Sequence, residues 1–219
     1  MEAIQPSVYI GGVRVDEPVT ALTDLLVSAV CIYAFLVLHR LKKPSKVQQF
    51  IKYYFLSMAM ATFLGGVIGH AFLYAFSFGW KLPGWLTSMF SIALIERAVI
   101  EKAKPIISAR LGKFFTWLNL VELTLFVVLT FSTLNFFYVE VHSAYGLLVV
   151  TASFSLYTYA KTKNKGSKYF IVGVGFCAIS ALFFMNEWSL HIWFNYLDIS
   201  HVLLAIAATF FYKGAMKID

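Results

Sequence analysis

Residues 18–46 read PVTALTDLLVSAVCIYAFLVLHRLKKPSK, and this stretch decides what kind of protein the chain is. From Val19 to His39 it is apolar apart from a few hydroxyls and one carboxylate, Asp24, and it then gives way to Arg40, Lys42, Lys43 and Lys46. About 20 apolar residues wound as an α-helix cross the ~30 Å hydrocarbon core of a bilayer. Pro18 suits the first turn of such a helix, and the basic flank marks its cytoplasmic end. The same pattern returns in residues 50–76, 83–100, 114–139, 142–160, 169–186 and 192–212, joined by connections too short for a soluble domain. The spacing predicts an all-α integral membrane protein, a seven-transmembrane-helix bundle forming a single domain over 1–219.

Composition agrees. Of 219 residues 60% are hydrophobic and 13% charged, whereas soluble domains run near 45–50% and 25%. A water-soluble enzyme and a disordered tail are excluded. All but Arg14, Lys81 and Arg97 of the 18 Lys and Arg residues fall around the first, third and fifth connections or at the C-terminal end. The positive-inside rule then puts the N-terminal segment 1–18 outside and the C-terminus in the cytoplasm, which an odd number of crossings satisfies. The net charge of +7 is thereby a consequence of topology, and no nucleic-acid partner is expected. Residues 1–17 lack the basic start of a signal peptide, so the first apolar run is expected to stay as the first helix. Trp80, Trp85, Trp188 and Trp193 fall where interfacial anchors belong. Cys31 and Cys177 lie inside apolar runs and offer neither a disulfide framework nor a metal spacing.

Ionisable groups inside hydrocarbon cost at least ~2.5–3.5 kcal/mol on insertion scales, so each one asks for a purpose. With a rise of about 1.5 Å per residue, Asp24 lies roughly 9 Å down helix one and His70 roughly 9 Å short of the end of helix two. Asp198 and His201 lie roughly 9–14 Å down helix seven. Three helices thus bring four groups into one outer layer. Asp198 and His201, three apart, share a face, which Asn195 and His191 continue outward. Glu17, Thr20 and Asp24 make a second stripe. Thr62, Gly66 and His70 make a third, whose small members admit a close neighbouring helix. Two neutral histidines and a carboxylate, here His70, His201 and Asp198, form a ligand set for Zn²⁺ with one position left for water. Asp24 is then the base or the orienting group for that water. The same residues read equally as a hydrogen-bonded clasp joining helices one, two and seven. Deeper in the membrane, Arg97 is expected to pair with Glu122, with Glu96 beside them. His39 and His142 are expected at solvated span ends.

The stretches EPVTALTD at 17–24, GGVIGH at 65–70 and DISH at 198–201 resemble a bacterial seven-helix membrane family. That family is distantly similar to the CREST superfamily of alkaline ceramidases, adiponectin-type receptors and haemolysin III proteins. The resemblance implies a zinc ion held by His70 and His201 and a hydrolytic activity. The partner of His201 in the superfamily's histidine pair is Leu197 here, and the helix-two serine is Gly66. Asp198 is the expected replacement ligand. The leading expectation is a zinc-dependent intramembrane hydrolase of a lipid amide or ester in a bacterial-type cytoplasmic membrane, with a membrane lipid as its partner. The alternative is a seven-helix receptor, transporter or lipid-binding scaffold using the same buried groups. Transport is the weaker form, since no inverted repeat is visible. A retinal protein is excluded because no span carries a central lysine.

Overall fold

A computed structural model describes residues 5–41 and 43–218. Before the first helix lies a small antiparallel hairpin, β1 (Val8–Ile10) and β2 (Val13–Val15). Its two-residue turn is Gly11–Gly12, with φ of 58° and 83°, a conformation that glycine adopts without a Cβ penalty. The hairpin is tied down by Asp16 N donating to Ala71 O at 3.0 Å and by Tyr74 Oη donating to Arg14 O at 2.8 Å.

Seven long helices follow. α1 (Pro18–Leu41) starts at the proline. α2 (Lys46–Ala71) is capped by Ser45 Oγ, which accepts from Gln48 N at 3.2 Å, and its last seven residues, Gly65–Ala71, widen into π-helix. α3 (Leu82–Ala103) is reached through two short 3₁₀ turns. α4 (Ala109–Thr133) is stopped by Leu134 in a left-handed conformation, φ 52°. α5 (Phe137–Thr162) contains a second π segment, Tyr145–Thr151. α6 is Lys165–Met185 and α7 is Tyr196–Met216. The chain is therefore all-helical apart from the hairpin. Six of the seven helices, all but α3, are both long and apolar enough to cross a membrane. α3 is long enough, but Glu96, Arg97, Glu101 and Lys102 dilute its C-terminal half.

α1, α2, α3, α5, α6 and α7 pack in a closed ring in which α7 returns to α1, while α4 lies outside it against α3 and α5. Lipid tails are as apolar as leucine, so helices in a bilayer associate through close packing and polar contacts. Both occur here. The α6–α7 seam is built on Gly166, Gly173 and Gly214, where an added Cβ would run into Phe211, Phe170 or Ile218. α4 buries only Gly112, Asn119, Glu122 and Thr130, three of them polar.

Three boundaries differ from expectation, and all matter for the site. α2 ends at Ala71 rather than at Phe76, so His70 stands one residue from its end and not roughly 9 Å before it. The apolar run 114–139 hides the turn at 134–136, because Leu134 and Phe136 carry no turn signal, and only Asn135 marks it by accepting from Phe137 N at 3.0 Å. α5 consequently begins at Phe137, and His142 lies more than a turn inside it. The run 192–212 likewise starts too early. Asn195 Oδ1 accepts from the amides of Leu197 and Asp198, and Asp198 Oδ2 accepts from Asn195 N. This capping box fixes Tyr196 as the first residue of α7.

Candidate functional site

α1 and α2 meet where Gly65 and Gly66 face Ala21 and Asp24. A Cβ on Gly65 would stand 2.8 Å from Asp24 Oδ2, and one on Gly66 would stand 2.9 Å from Ala21 O. Bare backbone at these two positions lets the Asp24 carboxylate, on a residue only 5% exposed, lie against α2. Widening of the helix into a π turn then carries His70 round to the same carboxylate.

Asp24 is the centre of what results. His70 Nε2 stands 3.8 Å from its Oδ2 and His201 Nε2 stands 3.5 Å from its Oδ1. The other ring nitrogens are engaged. His70 Nδ1 lies 2.5 Å from Glu17 Oε2, and His201 Nδ1 lies 3.1 Å from Thr23 Oγ1. The Thr23 hydroxyl donates its one hydrogen to Thr20 O at 3.0 Å, so Oγ1 accepts from His201 Nδ1–H. Glu17 accepts from His70 Nδ1–H in the same way. With neutral imidazoles, both Nε2 atoms therefore turn lone pairs toward a carboxylate that also only accepts. In that protonation state three acceptors face one another, an arrangement that could hold a cation. Glu17 reaches His70 from a left-handed backbone conformation, φ 42°, a strained choice for a residue before proline.

His70, His201 and Asp24 are thus brought together as the spacing predicts. Asp198, expected as the third ligand, is not with them. Its Oδ2 is taken by Asn195 N and by Gln5 Nε2, both at 2.7 Å, because the capping residue Asn195 lies three residues before it and its carboxylate completes the cap. Gln5 Oε1 in turn accepts from Val19 N and Thr20 N, so one side chain serves the starts of α1 and α7 together. Asn195 and His191 do not extend the histidine face either: the first is the cap, and the second is exposed in the loop before it.

A cavity of about 280 Å³ opens beside these residues. It passes Lys81, Trp85 and Phe136 and runs past Asp24, His70 and His201 down to Tyr54 and Phe211. Trp85 and Phe136, with ring centroids 5.1 Å apart, frame it, so Trp85 does more than anchor an interface. Burial pushes the Lys81 ammonium down from its ordinary value, with the Glu17 carboxylate opposing. On the hairpin, burial raises the Asp16 carboxyl, but hydrogen bonds from Arg14 and Ser7 and the charge of Arg14 outweigh this and hold it below 3.8.

A second polar cluster joins α3, α4 and α5. His142, fully buried rather than solvated, has Nδ1 2.5 Å from Glu122 Oε1 and Nε2 2.9 Å from Met89 O. Asn119 Nδ2 donates to Glu96 Oε2 at 3.3 Å and to Ala93 O at 3.2 Å. The expected Arg97–Glu122 pair does not form. Arg97 turns to Glu101, with Nε 3.3 Å from Oε1, and to Thr116 O at 2.8 Å, because an i,i+4 neighbour and a carbonyl lie within easier reach. Among the described residues, Glu96, Glu122 and His142 form the tightest group of metal-ligating atoms, all within 4.8 Å of one another. His70 and His201 are set wider, with ring centroids 6.2 Å apart. The sequence held the signal for His142, an ionisable group beside an apolar run, but the hidden α4–α5 turn misplaced it.

No curated protein and no solved structure matches the chain. The profile of a family described as of unknown function, DUF6962, matches residues 19–219, a stretch that takes in every helix and both clusters, and the chain belongs to that family.

Proposed function

We propose that the protein is a zinc-dependent intramembrane hydrolase of a single-chain lipid amide or ester. In this reading all seven helices cross a bacterial-type cytoplasmic membrane, with the hairpin outside. The observation that carries it is the meeting of His70 Nε2, His201 Nε2 and the Asp24 carboxylate, acceptors without a donor, on the wall of a cavity. His70 and His201 through Nε2, with one oxygen of Asp24 as the third ligand, would hold the ion. Glu17 and Thr23 fix both rings by their Nδ1–H groups, which is how histidine ligands are oriented elsewhere. Zn²⁺ bound there supplies a Lewis acid for a carbonyl and lowers the pKa of water toward about 7. Asp24, against both rings, is placed to orient that water and accept its proton. The cavity's 280 Å³ is at the small end of the ~300–1,000 Å³ usual for ligand sites, which favours one acyl chain over two. Its apolar floor of Tyr54, Leu204 and Phe211 receives that chain. The crossing of α3 is supported by its length and central burial, and the orientation by the basic connections.

The apolar cavity also supports a scaffold that binds such a lipid without cleaving it. Chelator-free purification of the full chain, metal analysis, and turnover of fluorogenic acyl amides and esters separate the two. The hydrolase reading expects turnover and a zinc ion at the outer site, the two lost together in His201→Ala, whatever ion is held elsewhere in the chain. A wild-type protein that takes up no zinc when it is offered, or turnover unchanged in His201→Ala, overturns it. Lipid retention without turnover leaves the scaffold.

A further inference from the structure

The cluster between α3, α4 and α5 plays no part in the proposed hydrolysis, and its geometry is that of a site. Glu96 is fully buried and Glu122 is 8% exposed, yet one oxygen on each, Glu96 Oε1 and Glu122 Oε2, has no hydrogen-bond partner. Unpaired acceptors of this kind are costly in a dry interior. Arg97 directs its guanidinium to Glu101, Thr116 O and, at 3.5 Å, Asn119 Oδ1, and makes no ion pair with Glu96 or Glu122 among the described residues.

The histidine is prepared as well. A carbonyl can only accept, so His142 Nε2 donates to Met89 O, which leaves Nδ1 as the nitrogen facing Glu122; the proton shared in that 2.5 Å contact is the one a metal ion would displace. Asn119 holds the other oxygen of Glu96. Gly146 completes the cradle, since a Cβ there would run into Ile92 Cγ2 and Glu96 Oε1. One imidazole nitrogen and two carboxylates, within 4.8 Å of one another, carry two negative charges and match one divalent ion.

We propose that Glu96, Glu122 and His142 bind a divalent first-row transition-metal ion that clamps α4 to α3 and α5. Nitrogen with carboxylate oxygen suits Zn²⁺ or Mn²⁺. The helix it fastens is the one that most needs it. α4 stands outside the ring and buries little apolar surface, so packing alone gives it weak attachment. The role is structural and independent of the Asp24 site.

The test uses the full chain in detergent, loaded with Zn²⁺ or Mn²⁺, freed of excess ion and analysed for metal. His201→Ala removes the outer site, so the remaining ion reports the inner one. About one ion per chain is expected in His201→Ala and none in His201→Ala combined with Glu96→Gln or Glu122→Gln. These substitutions keep side-chain shape, and a monodisperse elution profile verifies folding. Added metal is expected to raise the melting temperature of His201→Ala and to leave that of the double variants unchanged. His201→Ala that retains no metal, or metal content untouched by both glutamine substitutions, overturns the proposal. Failure of the outer site alone is distinguishable, because wild type and His201→Ala then carry the same metal and only the glutamine variants lose it.

Discussion

Replacing Gly66 with alanine tests whether the approach of α2 to α1 builds the site. An added Cβ would stand 2.9 Å from the Ala21 carbonyl oxygen and 3.0 Å from Asp24 Cβ. The first of these is backbone, which cannot swing aside, so the helices must part. Overpacking of this kind costs ~1–3 kcal/mol, while alanine returns up to ~1 kcal/mol of helix propensity. The net expected loss is about 1–2 kcal/mol, or a melting temperature lower by roughly 2–8 °C for a chain of this size. Gly175 supplies the control, since a Cβ there meets nothing within 4 Å, and Gly175→Ala should be neutral or slightly stabilising. Cys31 and Cys177 are buried free thiols, so a thiol-reactive dye reports unfolding of the core directly. Parting α1 from α2 also withdraws Asp24 from His70, and zinc retention should fall in Gly66→Ala but not in Gly175→Ala. Equal melting temperatures and equal zinc in the two variants would refute the reasoning.

Glu17→Gln removes the carboxylate that holds His70 and should weaken zinc binding by ~10–100-fold; a competition titration with a chromophoric chelator measures this, and unchanged affinity counts against the assignment. Asp16 titrates below 3.8 in the folded state, so its contribution to holding the hairpin is full above that value and is lost as pH falls through the lower, folded one. Hydrogen exchange at the Asp16 amide, bonded to Ala71 O, should accelerate only below about pH 4 and should lose this dependence in Arg14→Ala. Gln48 Nε2 donates to Ala215 O and Ile218 O at 2.6 and 2.7 Å, so Gln48→Ala should cost ~1–3 kcal/mol by thermal denaturation. Arg97→Ala leaves the His142–Glu122 contact intact and should lower the melting temperature less than His142→Leu, which strands Glu122 in a dry interior at a cost of ~3–5 kcal/mol; the opposite order would return Arg97 to the role the sequence suggested.

The sequence by itself determined the solvent and the architecture. Long apolar runs favour spanning helices, since backbone groups in lipid must be satisfied within the segment, and six of the helices are long and apolar enough to cross a membrane. It also placed Asp24, His70 and His201 in one layer by rise per residue, although α2 ends at Ala71, so His70 stands nearer its helix end than that count gave. Even the Gly66 stripe could be read as a place of close approach, and the Gly66 contact with Ala21 is that approach.

What needed the tertiary structure was direction around each helix and the position of turns lacking turn residues. Asp198 and His201 share a face at a spacing of three, yet the capping box at Asn195 turns the Asp198 carboxylate to the helix start. Its replacement beside the histidines, Asp24, comes from a helix more than 170 residues away in sequence. Arg97 and Glu122 looked like partners because charges inside spans are usually tolerated by pairing across helices. In three dimensions Glu101 was nearer to Arg97, and His142 was nearer to Glu122. That last contact depends on a turn at 134–136 that contains neither glycine nor proline. Hydropathy reports whether a residue tolerates lipid and carries no information about where the chain reverses. The cluster of Glu96, Glu122 and His142 was therefore out of reach until α4 and α5 were placed side by side.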